Sequence, residues 1–130
     1  MQKAVFEISM MENRLKQLDQ NLSMIEQQIM EHERIENSLN ELGKEKNSDM
    51  IFPIGAGVFA NGNLKDSESL LVSIGSGIVI EKNLAETNLI ISKRKEKLVS
   101  LREELGGQMK ILVEAMARIE QALRIESEKK

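Results

Sequence analysis

The sequence has 130 residues, 30% of them charged; only three are aromatic, all of them Phe, and Trp, Tyr and Cys are absent. A compact globular core is therefore not expected. The lack of cysteine excludes disulfides and thiolate metal sites and fits the cytoplasm. The formal net charge of −3 argues against nucleic acid as a partner, no apolar run is long enough to span a membrane, and no secretory signal is visible.

The first predicted element is a long helix from about Lys3 to about Leu42. Its apolar residues recur at spacings of three and four, which is the a and d pattern of a coiled coil. The pattern is interrupted where His32 and Glu36 take seam positions, and Gly43 with the polar residues after it predicts the helix end. The uninterrupted seam consists of Met1, Ala4, Ile8, Met11, Leu15, Leu18, Leu22, Ile25 and Ile29.

The middle of the chain contains the same apolar segment twice, twenty residues apart: MIFPIGAGVFAN (residues 50–61) aligns with LLVSIGSGIVIE (residues 70–81). Each copy has a Gly-x-Gly pair, which either closes a hairpin or forms a bulge in one longer bent hairpin. Asn61-Gly62 and Lys65-Asp66-Ser67 are turn sequences. We favour four short strands, near residues 50–54, 57–64, 69–75 and 77–81.

The second helix is predicted to begin after Asn83, an N-cap residue with Glu86 three residues later, as in a capping box. Apolar residues then recur every seven positions, from Leu84 to Ile119. Two successive steps of four after Leu105 form a stutter at Gly106-Gly107. Because the apolar period continues through the two glycines, we interpret them as a flexible or bent point and not as the helix end.

The two helices are expected to pair with each other in antiparallel orientation. Pairs such as Leu15 with Leu112 and Leu18 with Met109 keep the sum of their residue numbers at 127, which places the reversal near Asn63, inside the β segment. The fold class is therefore α+β: a long antiparallel two-helix coiled coil joined by a small central β region of two hairpins. We expect one domain over residues 1–130, with a helix at 1–46, two hairpins at 47–82 and a second helix at 83–130.

The predicted strands are nearly continuous apolar runs, which suggests that they are covered on both faces. Two isolated hairpins are marginal in water, so we expect other subunits to provide the cover. The residues expected at this oligomer interface are Ile51, Phe52, Ile54, Val58, Phe59, Leu70, Val72, Ile74, Ile78 and Ile80.

No motif in the sequence indicates an enzyme or a cofactor. The Gly-x-Gly pairs lack the Lys-Ser/Thr ending of a phosphate loop and the full dinucleotide pattern. His32 has no second His or Cys with which to bind a metal, and its expected role is that of a polar seam residue that fixes register. The carboxylates lie along solvated helix faces. We therefore expect no catalytic residues, no metal and no cofactor.

The segment FPIGAGVFANGNLKDSESLLVSIGSGIVIEKN resembles the central signature of alpha-type prefoldin subunits. Members of that family carry a similar V-P-[IL]-G-[AS]-G-x-F stretch, then L-K-D, then V-x-[IV]-G-x-G and E-K. The doubled hairpin is similar to the alpha class, whereas the beta class has one hairpin. This chain has Phe52 where Val is common in the family. The flanking helices extend the resemblance over nearly the whole chain.

The resemblance implies an ATP-independent chaperone, a holdase, that binds unfolded polypeptides and passes them to a group II chaperonin. In prefoldin-like hexamers, two alpha-type and four beta-type subunits form a β-barrel platform from which coiled-coil arms protrude. The ends of the arms are formed by the two termini, where apolar residues lie off the seam. Flexible Met side chains and isolated aromatic side chains are suited to non-specific apolar contact. The residues expected to bind clients are Met1, Val5, Phe6, Met10, Leu123 and Ile125.

An alternative function is a structural or filament-forming coiled-coil scaffold of the prefoldin type, without client transfer. It would explain the helices and the self-associating strands equally well. A closed complex of about six chains favours the chaperone, and an open distribution of lengths favours the filament. An enzyme is the third function class, and the sequence offers no catalytic constellation to support it.

Overall fold

A computed structural model describes residues 2–42, 49–64 and 68–128. The predicted α+β fold, with two long helices and two hairpins between them, is confirmed. The predicted helix end after residue 42, the turn at 65–67, Met1 and the last two residues lie outside the described residues. The elements in chain order are α1 (Gln2–Leu42), β1 (Asp49–Gly55), β2 (Val58–Asn63), β3 (Leu70–Gly75), β4 (Ile78–Lys82) and α2 (Leu84–Glu128).

The chain divides into two units, and the first consists of Met1–Met30 and Glu96–Lys130. Within this unit, the Glu26 carboxylate accepts a hydrogen bond from Arg102 at 3.2 Å, and Asp19 and Met109 line the same cavity. The residue numbers of both pairs sum to 128, one more than the predicted 127. The predicted antiparallel pairing of the helices is therefore confirmed in this unit.

The seam of the first unit is formed by the apolar positions that recur along α1. Leu18 is only 1% exposed, and Ile25 and Ile29 are also buried. Covering a side chain of this size completely stabilises the fold by about 1.5–3 kcal/mol. On α2 the half-buried positions continue through Leu105, Met109 and Leu112, and the helix is unbroken at Gly106-Gly107, as predicted.

The second unit, Glu31–Lys95, contains both hairpins. β1 pairs with β2 and β3 pairs with β4, each as a separate antiparallel two-stranded sheet. Phe52 lies opposite Ala60 in the first hairpin and Val72 lies opposite Ile80 in the second, so the twenty-residue repeat of the sequence is also a repeat of register. Each ladder shifts by one residue just before the turn, between Pro53 and Gly55 in β1, and at the equivalent place in β3.

The Gly-x-Gly pairs close the two hairpins. Gly55 pairs with Val58 across a two-residue turn whose central residues have positive φ angles, 51° at Ala56 and 77° at Gly57. Positive φ at both central residues is the signature of a type I′ turn, whose twist matches that of the paired strands. The favoured interpretation of four short strands is confirmed, and a bulge also occurs beside each turn. β2 begins at Val58 and not at residue 57, because Gly57 is needed in the turn.

The start of α2 is held by the predicted capping box. The Asn83 side-chain oxygen accepts a hydrogen bond from the Glu86 backbone N–H at 2.8 Å, and the Asn83 N–H donates to the Glu86 carboxylate at 3.3 Å. Two backbone donors that a helix start would otherwise leave unpaired are thus satisfied. The Thr87 hydroxyl, which is buried, donates to the Asn83 carbonyl at 2.8 Å.

The core of the second unit lies where the second hairpin meets α2. Val72 and Ile91 are buried, and the Arg94 guanidinium donates a hydrogen bond to the Ser73 carbonyl at 2.7 Å, which holds β3 against the helix. Lys95 of α2 forms an ion pair with Glu36 of α1 at 3.3 Å. Glu36, one of the polar residues that interrupt the apolar seam of α1, therefore takes part in a charged contact between the two helices.

Candidate functional site

The described part of the chain has the features of a binding protein. No group of three His, Cys, Asp or Glu residues within residues 2–42, 49–64 and 68–128 is placed to hold a metal ion. In the same ranges, no helix has the length and the apolar character needed to cross a membrane. The most prominent chemical feature is exposed apolar surface, which lies at the helix ends near the termini and on the hairpins. Exposed apolar side chains also occur farther along the helices, at Met24, Met30, Leu89, Leu101, Ile111 and Val113.

The terminal patch consists of Val5, Phe6 and Met10 on α1 and Ile125 on α2, and all four side chains are exposed. The antiparallel pairing brings Ile125 level with the first turn of α1. Phe6, the only aromatic residue of the helices, is 65% exposed. Of the two other residues expected here, Leu123 is half-buried and continues the seam, whereas Met1 lies outside the described residues.

The hairpin surface consists of the apolar strand residues that are exposed in the single chain. Successive strand residues point to opposite faces, and one face of the second hairpin is turned towards the chain itself. On that face Leu70 and Ile80 are half-buried. Seven of the ten residues expected at an oligomer interface are exposed: Ile51, Phe52, Ile54, Val58, Phe59, Ile74 and Ile78.

Val72 differs from the other residues expected at the interface. It is only 7% exposed, because β3 packs against α2 beside the hydrogen bond from Arg94 to Ser73. It therefore supports the hairpin from within the chain and offers little surface to another subunit. The sequence pattern of β3 showed that the strand was apolar, but not which of its faces the chain covers itself.

Sequence reasoning missed two exposed residues of the hairpin surface, Leu71 and Val79. Leu71 is 75% exposed and lies on the outward face of β3, and Val79 is exposed on β4. The internal repeat contained the signal needed to find them, because Leu71 aligns with Ile51 and Val79 aligns with Phe59. Both partners in the first hairpin had been selected as interface residues.

The Phe52 ring lies diagonally across the strand pair, beside Gly62, whose direct partner is Met50. A Cβ atom built on Gly62 would come within 2.5 Å of the Phe52 ring, so glycine is the residue that lets the ring lie flat on β2. An aromatic side chain that covers a glycine on the neighbouring strand stabilises the pair and fixes its register. Phe52, where the sequence departs from the family pattern, therefore has a structural role in this chain.

Each hairpin taken alone is a marginal structure. A two-stranded sheet in water is barely stable, and both hairpins expose apolar side chains that a monomer would normally cover. The ion pair at the end of β4 does not compensate, because an exposed pair such as Lys82 with Glu86 contributes only about 0–1 kcal/mol. The arrangement is suited to apolar contacts with other polypeptides.

Comparison with known proteins supports this interpretation. A model of the family "Prefoldin subunit" matches residues 11–129. Prefoldin subunit alpha of Methanococcoides burtonii is 31% identical over 107 residues, which cover 82% of this chain and 78% of that protein. Prefoldin subunit alpha of Thermofilum pendens is 35% identical over 80 residues, or 62% of each protein. Prefoldin subunit alpha of Archaeoglobus fulgidus is 25% identical over 88% of this chain and 90% of its own length.

A solved structure has the same fold along its whole length. The cryo-electron-microscopy structure of filamentous PFD from Methanocaldococcus jannaschii aligns with a TM-score of 0.66 and covers 100% of both chains at 16% identity, which establishes the fold alone. The sequence matches, the duplicated hairpin and the paired helices show that the chain belongs to the prefoldin family of chaperones, as an alpha-type subunit.

Proposed function

We propose that this chain is a subunit of an ATP-independent holdase in the cytoplasm that binds unfolded polypeptides at the terminal patch and passes them to a group II chaperonin. The observation that supports this function is the exposure of Val5, Phe6, Met10 and Ile125 beside a seam that is covered. Membership of the prefoldin family supports the chaperone role, and the terminal patch is the proposed place where clients bind.

The chemistry of the terminal patch suits reversible binding without an energy source. Complete burial of one such apolar side chain contributes about 1.5–3 kcal/mol, so a few partial contacts give weak and rapidly exchanging binding. Met10 adapts its shape to different partners because its side chain is unbranched and flexible. A client held in this way is kept from aggregating and is released when its own folding buries the same residues.

The hairpin surface is proposed to join subunits. In this proposal two alpha-type chains and four beta-type chains form a hexamer, in which the exposed strand residues of each chain are covered by its neighbours. No cofactor and no catalytic residue is needed for this role. Membership of a family of oligomeric chaperones and the exposure of Ile51, Phe59 and Leu71 support the assembly.

The test uses this chain assembled with a beta-type subunit, and a chemically denatured client protein whose aggregation is followed by light scattering without ATP. We expect the assembly to suppress aggregation, and a variant with Val5→Ser, Phe6→Ser and Ile125→Ser to lose most of that activity. Exposed substitutions of this kind change stability by no more than about 0.5 kcal/mol each, so helicity and assembly should persist.

The matched control carries Ser9→Gln and Asn13→Ser, two exposed polar positions in the turns of α1 that follow Val5 and Phe6. It should protect the client as well as the parent does. Full protection by the variant of the terminal patch would show that clients bind elsewhere on the chain.

A structural, filament-forming scaffold is the second candidate function. The observation that favours it is the solved structure of the same fold, which is that of a filamentous PFD. Mass measurement by light scattering separates the two functions: a closed particle of about six chains supports the holdase, and a concentration-dependent range of lengths supports the scaffold.

A further inference from the structure

All the sulfur of this chain is in methionine, since there are eight Met residues and no Cys. The methionines of the described residues fall into two groups by exposure. Three lie on the outer surface of α1 and are 55–59% exposed: Met10, Met24 and Met30. Four are half-buried: Met11, Met50, Met109 and Met116. Oxygen added to an exposed methionine stays in water, whereas oxygen added to a methionine of the seam enters the contact between the helices.

Met109 is a seam methionine that also lines an open cavity beside the helix pair. The cavity has a volume of about 380 Å³, and its other lining residues are Glu12, Leu15, Lys16 and Asp19 of α1. One water molecule occupies roughly 30 Å³ in the liquid. Hydrogen peroxide is little larger than water, so it can enter the cavity and reach Met109 while the helices remain paired.

The seam at the level of Met109 is covered on α1 and open on α2. Leu18, which lies at this level of α1, is 1% exposed. The buried residues of α2, within Leu84–Glu128, are Thr87 and Ile91, and both belong to the second unit. Gly106-Gly107 lies within one helical turn of Met109, and glycine is a weak helix former. The apolar contact of Met109 therefore supports α2 where the helix itself is weakest.

We propose that Met109 is an oxidation site, at which a peroxide converts the thioether to a sulfoxide, and that this modification loosens the helix pair of the first unit. The sulfur attacks one oxygen of hydrogen peroxide, the O–O bond breaks and an S–O bond forms. The proton of the transferred oxygen passes to the departing hydroxide, which leaves as water. The sulfur loses two electrons and the peroxide gains them. The reaction needs only the helix pair and peroxide and does not depend on client binding.

The surroundings of Met109 explain why its sulfoxide loosens the helices. The seam side is apolar, because the neighbours there are Leu18, Leu105 and Leu112. The cavity side is polar, since it is open to water and Lys16 has an ammonium group that donates hydrogen bonds. A polar group that is buried without a hydrogen bond is unfavourable, so the oxidised side chain is drawn out of the seam towards the cavity. The apolar contact between the helices at this level is then lost.

The first measurement compares the rates of oxidation along the full chain. The chain is treated with dilute hydrogen peroxide, and peptide mass spectrometry follows sulfoxide formation at each methionine. We expect Met109 to react at a rate within about threefold of that of exposed Met24, because reactivity follows access to the sulfur. Met116 is half-buried in the same seam but does not line the cavity, so it should react at least about fivefold more slowly than Met109.

A variant that fills the cavity tests the route of the peroxide. Asp19→Leu adds an apolar side chain to the cavity wall and should slow the oxidation of Met109 while leaving that of Met24 unchanged. Oxidation of Met109 at the parental rate in this variant would overturn the cavity as the route. Equal rates at Met109 and Met116 in the parent would overturn Met109 as a distinct site.

The second measurement is thermal unfolding followed by circular dichroism. Peroxide should lower the Tm of the parent by roughly 3–6 °C, the shift typical of one lost apolar contact in a chain of this size. Met109→Leu keeps the volume of the side chain and should abolish most of the shift. Met24→Leu, the matched control at an exposed position, should leave the shift unchanged. Methionine sulfoxide reductase with a thiol reductant should restore the Tm of the oxidised parent.

A polar substitution gives the same information without an oxidant. Met109→Gln places an amide in the seam and should lower the Tm of the untreated chain, whereas Met24→Gln should not. A peroxide-induced shift in the Met109→Leu chain as large as that in the parent would overturn the proposal, because the loosening would then come from another methionine.

Discussion

Ala56 and Ser76 occupy equivalent positions in the two hairpin turns, and both adopt φ angles near 50° that glycine and asparagine accept more readily. A residue with a Cβ atom in the left-handed region costs about 1 kcal/mol relative to an ordinary conformation. The following residues, Gly57 and Gly77, also have positive φ, so each turn has one favourable and one strained central position.

Replacing Ala56 by Asn should stabilise the first hairpin by about 0.5–1 kcal/mol, since Asn-Gly is the preferred sequence of a type I′ turn. Gly57→Ala should have the opposite effect, because it adds a second Cβ atom at positive φ. Hydrogen exchange of the β1 and β2 amides measures both changes. Ser76→Asn is the control and should slow exchange only in β3 and β4. If the Ala56→Asn variant instead lost protection in β1 and β2, the type I′ turn would be contradicted.

At this scale, the features that sequence reasoning found are local ones. The capping box of Asn83 and Glu86 was predictable because its partners are three residues apart and bind each other's backbone. The burial of Val72 was not predictable, because it depends on α2 and on the hydrogen bond from Arg94 to a strand carbonyl twenty-one residues away in sequence. A nearly continuous apolar run shows that a strand is apolar and leaves open which of its faces the chain covers.

The helices are the elements in which the sequence pattern carries most information. A heptad seam fixes both the buried face and the antiparallel register, which the contact of Glu26 with Arg102 reproduces to within one residue. The strand ends were less predictable, since the same glycines suit a turn, a bulge or a strand end. Gly106-Gly107 lies within an unbroken helix, and Cβ atoms added there would meet nothing within 4 Å.

Replacing Gly106 and Gly107 by Ala should therefore stabilise α2 by about 1 kcal/mol for each residue, because Ala restricts the unfolded chain and fits the helix. Thermal unfolding followed by circular dichroism measures the change. Ala117→Gly, at an exposed position of the same helix, is the reverse control and should lower stability by a similar amount. Unchanged or lower stability of the double variant would show that the glycines relieve a strain in the pairing of the helices.

At the scale of the whole molecule, the hairpins carry the exposed apolar surface that we propose joins several chains. Seven of the ten strand residues expected at an interface are exposed, Leu70 and Ile80 are half-buried, and Val72 is buried because the chain covers it internally. The family and the general architecture were predictable from the twenty-residue repeat of the β segment and from the heptad seam of the helices. Which strand faces are buried within the chain and which are exposed could be seen only in the structure, because it depends on how the hairpins pack.

Val58→Lys with Ile78→Lys should release monomers whose helices still form, because two charges would enter the proposed apolar contact between subunits, while both side chains are exposed in the single chain. Sedimentation measures the loss of mass, and far-ultraviolet circular dichroism measures the helices. The control Asn13→Lys with Gln20→Lys adds the same charge on the exposed face of α1 and should leave the particle intact. An unchanged particle in the hairpin variant would mean that the helices hold the subunits together.

The two hairpins have equal registers. Each strand pair has its turn, bulge and facing residues at the same offsets, twenty residues apart. Loss of residues 56–75 would join Gly55 to Ser76, bring Phe52 opposite Ile80, and run through Lys82 into the intact cap at Asn83. A gene that gains or loses this one block of codons therefore passes between one and two hairpins in a single event, and both helices keep their reading frame and their seam.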